Sequence, residues 1–275
     1  MSSTVAVVKG ERGVAPVLRA LDLVDFKEAL KGWDRVLIKV NFITTKTWDT
    51  GATTDPLVVE ALIQRLQELP VEVFVVESDA TVTNADKAFI ATGMRDLCFE
   101  YDVEFINLRH APDQIKIEIP DHLTLGSIKV PRIVTESAII SAAKMKTHSE
   151  TGVTLGLKNM FGLLPQKFKG RFHMKGMHKV ITDINSVVKP AFTVIDGFIG
   201  MEGNGPVNGT PIKMDTIIAG KDPVATDAVG AEVMGFKPEA IGHLKMSYEK
   251  GIGSLYDYKV VGDGIDAVKR NFRRR

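Results

Sequence analysis

The sequence predicts an α/β protein: a mainly parallel sheet flanked by helices, with an antiparallel β ribbon inserted in its middle. Three observations carry this. Short β-branched or apolar runs (TVAVVK at 4–9, RVLIKV at 35–40, VEVFVV at 71–76) recur with helical stretches between them, the alternation of a parallel sheet with crossover helices. The 71–76 run is nearly continuous in apolar residues, as in strands buried on both faces. Between 111 and 130 the pattern switches to period-two alternation, QIKIEI at 114–119 and then TLGSIKV at 124–130, which fits two paired antiparallel strands.

Taken in order, a strand at 4–9 leads to a helix over Ala15–Leu23, with Pro16 tolerated in its first turn. The strand at 35–40 carries Lys39 and runs into Asn41, where a long polar loop begins. That loop closes on Thr53-Thr54-Asp55-Pro56. Asp55 is placed to cap a helix whose first residue is Pro56, and apolar residues at 57, 58, 61, 62, 66 and 69 form its buried stripe. The strand at 71–76 ends on Glu77-Ser78-Asp79. A helix over Asn84–Glu100 and a strand at 103–107 follow, then the ribbon. A strand at 137–142 delivers Lys144, Lys146 and His148 beyond its end, and a helix over Thr151–Phe161 is expected despite Gly152 and Gly156. Residues 167–176 read as loop. The helix over Met177–Val188 is the clearest, with Met177, Val180, Ile181, Ile184, Val187 and Val188 on one face. A strand at 192–195 ends on Asp196 and gives way to a glycine-rich loop, Gly197–Gly209. A strand at 214–219 precedes Asp222-Pro223, a second cap-then-proline helix start reaching Met234. The tail NFRRR is expected to fray. The whole chain, 1–275, reads as a single α/β domain with the ribbon as an insertion at 111–130.

Composition bounds the function. Lys plus Arg total 35 and Asp plus Glu 34, so the overall charge does not point to nucleic acid. The single cysteine, Cys98, cannot hold an iron–sulfur cluster with this chain's own thiolates. The start, MSSTVAVVKGERG, has no signal-peptide core, and no apolar run is long enough to span a bilayer. A cytoplasmic protein without a membrane partner is the expectation.

Against that balance, residues 144–182 hold eight Lys or Arg, three His and one acid, Glu150. Such a run surrounds something negatively charged or forms a solvated basic face. Lys158 favours the first, because it sits inside an apolar stretch and needs a partner or a ligand.

In a parallel sheet, ligands bind beyond the carboxyl ends of the strands. That edge is expected to collect Lys39, Asn41, Glu77, Asp79, Lys144–His148, Asp196, Glu202 and Lys221-Asp222. One chemistry has Lys39, Asn41, Lys144, Lys146, Thr147, Lys158, Asn159 and the glycine backbone at Gly203 and Gly205 holding a phosphate or carboxylate. Asp196, Glu202 or His148 then moves a proton. In the other, a divalent metal is held by ligands drawn from Glu77, His148, His178, Asp222 and Asp227, as in a metal-dependent phosphohydrolase; no compact metal motif supports it.

The segments KVN (39–41), GATTDPLVVEAL (51–62), KTHSETGVTLGLKNMFGLLP (146–165), VIDGFIGMEGNGP (194–206) and AGKDPVATDAV (219–229) together resemble domain of unknown function family 362, over about residues 36–253. Lys146, Thr147, His148, Lys158, Asn159, Asp196, Glu202, Gly203, Asp222 and Asp227 match the family's motif positions. The resemblance implies a mostly prokaryotic group, some of whose members carry fused ferredoxin-like iron–sulfur modules, and hence redox or anaerobic metabolism; with one cysteine, this chain lacks that module. The expectation is an enzyme acting on a small anionic substrate or phosphorylated cofactor. The alternatives are a redox-linked protein working with a ferredoxin-type partner and a non-catalytic polyanion binder using the basic residues at 167–179 and Arg270, Arg273, Arg274 and Arg275. Aromatic residues among those cations are few for stacking on bases.

Overall fold

A computed structural model describes residues 3–274; Met1 and Ser2 of the N-terminal stretch and Arg275 of the tail lie outside the described residues. The chain runs β1 (Ser3–Lys9), α1 (Val14–Asp22), α2 (Phe26–Ala29), β2 (Arg35–Lys39), α3 (Pro56–Leu66), β3 (Glu72–Glu77), α4 (Ala85–Ala91), α5 (Met94–Glu100) and β4 (Glu104–Asn107). The ribbon follows as β5 (Gln114–Glu118) and β6 (Ser127–Pro131), then β7 (Ala138–His148), β8 (Gly152–Thr154), α6 (Gly156–Asn159), α7 (Gly170–His173) and α8 (Met177–Val187). The last third is β9 (Phe192–Glu202), β10 (Thr210–Gly220), α9 (Pro223–Val233), α10 (Gly242–Glu249) and β11 (Tyr258–Gly262).

The sheet has the order β11-β1-β10-β9-β7-β2-β3-β4, with β8 paired back onto β7. Strands β9, β7, β2, β3 and β4 are parallel neighbours, and β10 runs antiparallel to both β9 and β1. The ribbon β5–β6 is a separate antiparallel pair. Side chains alternate across the sheet. Val36 and Ile38 of β2 join a core with α1, α3 and α5, whereas Leu37 joins the opposite core with α8, α9 and α10. Both expected proline starts form: Asp55 accepts from Leu57 N at the head of α3, and Asp222 accepts from Val224 N and Ala225 N at the head of α9.

Several elements depart from the sequence reading. Strand β7 runs on to His148, so Lys144 and Lys146 lie within it and are buried; charges there disguised a strand that finds partners for them. Strand β9 likewise runs to Glu202, taking in the first half of the expected glycine loop. A Cβ at Gly197 would meet Thr216 O at 2.7 Å and Met145 Cε at 2.9 Å, so close packing, not a turn, explains that glycine. The expected 151–161 helix divides into β8, the single turn of α6 and a 3-10 turn at Met160–Leu163. The expected 84–100 helix breaks at Gly93, whose φ of 79° no helix accommodates. Residues 170–173 of the expected loop form α7, and β11 carried no prediction. Among the described residues of the tail expected to fray, Phe272 is buried and Arg273 holds Glu202. Among the described residues, no helix is long and apolar enough to cross a membrane.

Candidate functional site

A cavity of about 360 Å³ opens beyond the carboxyl ends of β2 and β3 and beside the last residues of β7. Strand β2 delivers Lys39 and the loop after it Asn41 and Phe42. The end of β3 supplies Glu77 and Ser78, and β7 supplies Lys146 and His148. The α6 turn adds Lys158 and Asn159, the 3-10 turn Phe161 and Gly162, and the α7 region Lys169 and His173; Pro206 closes one side.

The floor is a hydrogen-bonded chain of amides and ammonium groups. Lys39 Nζ donates to Glu77 Oε2 at 2.9 Å, Val40 O at 2.6 Å and Asn159 Oδ1 at 3.2 Å. Asn41 Nδ2 donates to the same Asn159 Oδ1 at 3.1 Å, and Asn159 Nδ2 donates to Lys39 O at 2.9 Å. Asn41 therefore turns its Oδ1 to Lys146 Nζ, 2.8 Å away, and Ala52 O accepts from the same ammonium at 2.6 Å. Glu77 is fully engaged, accepting also from Phe42 N and Ser78 N. Gly162 presses its backbone against this pair: a Cβ there would lie 2.5 Å from both Lys39 Nζ and Glu77 Oε1.

Charge in the cavity is unbalanced. Lys39 has Glu77, and Glu150 lies against His173 Nδ1 at 2.6 Å. Among the described residues, Lys146, Lys158 and Lys169 have no carboxylate in ion-pairing contact; Lys169 Nζ donates to Ser78 Oγ at 2.8 Å. Burial lowers the pKa of Lys146 well below the usual lysine range, helped by Lys158 and Lys144 nearby. Burial brings Lys158 and Lys169 down to about 8, against the pull of Glu150 on the first and Glu77 on the second. Burial, Lys158 and Lys146 push His148 down to about 2, so it is a neutral imidazole. Its Nδ1 accepts from Glu150 N at 3.1 Å and Thr151 N at 3.3 Å, which puts the ring proton on Nε2. Such a cluster of cations and oriented donors suits a carboxylate or phosphate.

The structure thus brings together Lys39, Asn41, Glu77, Lys146, His148, Lys158 and Asn159. The other expected residues lie elsewhere. Lys144 and Asp196 form a fully buried ion pair, 2.8 Å, outside the cavity lining. Asp196 also accepts from Asp55 N and Phe198 N, while burial raises its pKa against the pull of Lys144. Glu202 pairs with Arg273 at 2.6 Å. Thr147 Oγ1 donates toward Met201 O and Gly203 O, and a Cβ at Gly205 would meet Thr147 O, so these residues pack one another behind the cavity wall. His178 stacks on His243 with ring centroids 5.3 Å apart. Asp222 caps α9. Asp227 accepts from Gly156 N at 2.7 Å and Leu157 N at 2.8 Å, and burial raises it to about 7 against those bonds. Among the described residues, no three His, Cys, Asp or Glu side chains gather as a metal-ligating set. Ser78, Phe161, Gly162, Lys169 and His173 line the cavity without having been singled out; only Lys169 and His173 carried a signal, as members of the basic run.

The chain is 27% identical over 218 residues to a thylakoid-associated protein of Synechocystis sp. (strain ATCC 27184 / PCC 6803 / Kazusa). The match covers 77% of this chain and 66% of that relative, so the chain spans just under two thirds of the relative's length. No solved structure matches it significantly. Residues 36–232, which include every cavity residue named above, match the family described as Domain of unknown function (DUF362), and the chain belongs to that family.

Proposed function

We propose that this protein is an enzyme that binds a small anionic substrate or phosphorylated cofactor in the cavity beyond β2, β3 and β7. The observation that carries this is the charge imbalance: Lys146, Lys158 and Lys169 reach one cavity without a carboxylate in ion-pairing contact with any of them among the described residues. Burying unpaired cations costs stability, and an anionic ligand offsets that cost. Asn41, fixed by Asn159, orients Lys146. His148, with its Nδ1 occupied, presents its Nε2–H as a hydrogen-bond donor to the bound anion. The walls Phe42 and Phe161 reduce access of water to the bound anion.

The test is calorimetric titration with inorganic phosphate, pyrophosphate and pyruvate at low salt. Saturable binding of at least one of them is expected, weakened about 10- to 100-fold in Lys146→Met, the scale of a lost charged hydrogen bond. Absence of binding by all three at millimolar concentration would sink the proposal.

A further inference from the structure

The cavity's four lysines are not equivalent. Lys39 donates to Glu77, Val40 O and Asn159, Lys146 to Asn41 and Ala52 O, and Lys169 to Ser78. Every one of those acceptors favours an ammonium. Lys158, half-buried, lines the same cavity, yet its Nζ makes no hydrogen bond or ion pair with any described residue. The same cavity is lined by the cations Lys39 and Lys146, the neutral ring of His148 and Phe161, and Lys39 and Lys146 interact electrostatically with Lys158. Glu150, the carboxylate that acts on it, is engaged by His173. An amine set among cations with no acceptor gains by releasing its proton, and a lysine held this way is a nucleophile near neutral pH.

We propose that Lys158 forms an imine with a small carbonyl compound that carries a carboxylate or phosphate, the acid group being held by Lys146 and Lys169. The proposal rests on the anion-binding reading and adds to it the substrate class and the covalent step. Nζ of the free amine attacks the carbonyl carbon, and the C–O π pair moves onto oxygen, which takes up a proton. The nitrogen then gives up a proton, the hydroxyl takes one and leaves as water, and the nitrogen lone pair closes the C=N bond. Amine plus carbonyl plus one proton gives a protonated imine plus water, with no oxidant or reductant. Glu150 is the cavity group able to relay those protons, and His148 Nε2–H can donate a hydrogen bond to the oxygen that leaves. The resulting imine draws electrons from the neighbouring carbon, so the reaction class it serves is proton removal or carbon–carbon cleavage beside the former carbonyl.

The experiment incubates the full-length protein at pH 8 with pyruvate and, separately, with equimolar pyridoxal 5′-phosphate. Sodium cyanoborohydride traps the imine by hydride addition, and peptide mapping locates the adduct. One reduced adduct per chain at Lys158 is expected, forming on the order of 10- to 100-fold faster than at exposed lysines, which hold little free amine at that pH. Inorganic phosphate should suppress it. Lys158→Arg should lose the adduct, because a guanidinium forms no imine, and phosphate binding is measured on the same variant; Lys158→Met serves for the adduct if the arginine variant folds poorly by circular dichroism. Adducts spread evenly over exposed lysines, or carried by Lys146 or Lys169, overturn the proposal. Phosphate or pyruvate binding without any Lys158 adduct removes the covalent step and leaves the anion site standing, whereas neither binding nor adduct removes both.

Discussion

Lys144 and Lys146 sit two positions apart on β7, both buried, in opposite electrostatic situations. Lys144 meets Asp196 at 2.8 Å in a pair with no exposure on either side chain, and Asp196 is further held by the backbone N–H of Asp55 at the head of α3. Lys146 meets only an amide oxygen and a carbonyl. The first is a closed ion pair that ties a strand to the start of a helix. The second is a cation with spare charge, facing a cavity shared with Lys158 and Lys169. A buried lysine therefore says little about function until its counter-charge is found: the same residue type on one strand does structural work in one place and offers a ligand site in the other.

The largest way to test that contrast is Asp196→Ala. It strands Lys144 without a partner and should cost about 3–5 kcal/mol of stability, read by urea unfolding, while the folded fraction still binds anions. An equally stable variant would mean the pair is not what holds this corner. Lys146→Met should do the reverse. Anion affinity should fall by about 1.5–3 kcal/mol with stability held or raised, because an unpaired buried charge is removed. If that variant instead unfolds, Lys146 belongs with Lys144 as a structural lysine.

Gly162→Ala probes another ion pair, Lys39 with Glu77, which lines the cavity. Its Cβ would crowd Lys39 and Glu77 at 2.5 Å, and a loss of about 1–3 kcal/mol is expected from overpacking, seen as a lower unfolding midpoint. A further test is in pH. Lys158 and Lys169 have folded pKa values near 8, below an ordinary lysine, so between about pH 8 and about 10.4 the unfolded chain binds more protons. Stability contributed by these two groups should rise across that window, and anion affinity should fall as pH climbs through 8. Calorimetry at stepped pH checks both, and affinity flat from pH 7 to 9 would contradict the assignment of these two lysines.

Most of the sheet was legible because apolar and β-branched runs announce parallel strands, and both Asp-Pro helix starts were legible because capping is local chemistry. The extensions of β7 and β9 were not. They run through Lys144, Lys146, Asp196 and the glycines at 197 and 200, and whether a charge or a glycine interrupts a strand depends on partners that are distant in sequence: Asp196 for Lys144, Met145 and Thr216 packed against Gly197. The same limit governs the site. Lys39, Lys146, His148 and Lys158 stood out by type and position, but charge alone could not separate Asp196 and Glu202, which have cations of their own, from residues facing a cavity. Ser78 and Gly162 gave no signal, since their roles lie in a hydroxyl between turns and in the absence of a side chain.

The cavity wall is assembled from the ends of β2 and β3, the last residues of β7, the α6 and α7 turns and the loop at Pro206. No short stretch of the chain carries it, so an occupant would bridge segments that meet only after the long-range contacts have formed. Occupancy and folding are then thermodynamically linked. A compound present at about a hundred times its dissociation constant would add about 2.7 kcal/mol to unfolding, making the melting temperature itself a reporter with which a library of metabolites can be sorted before any reaction has been assayed.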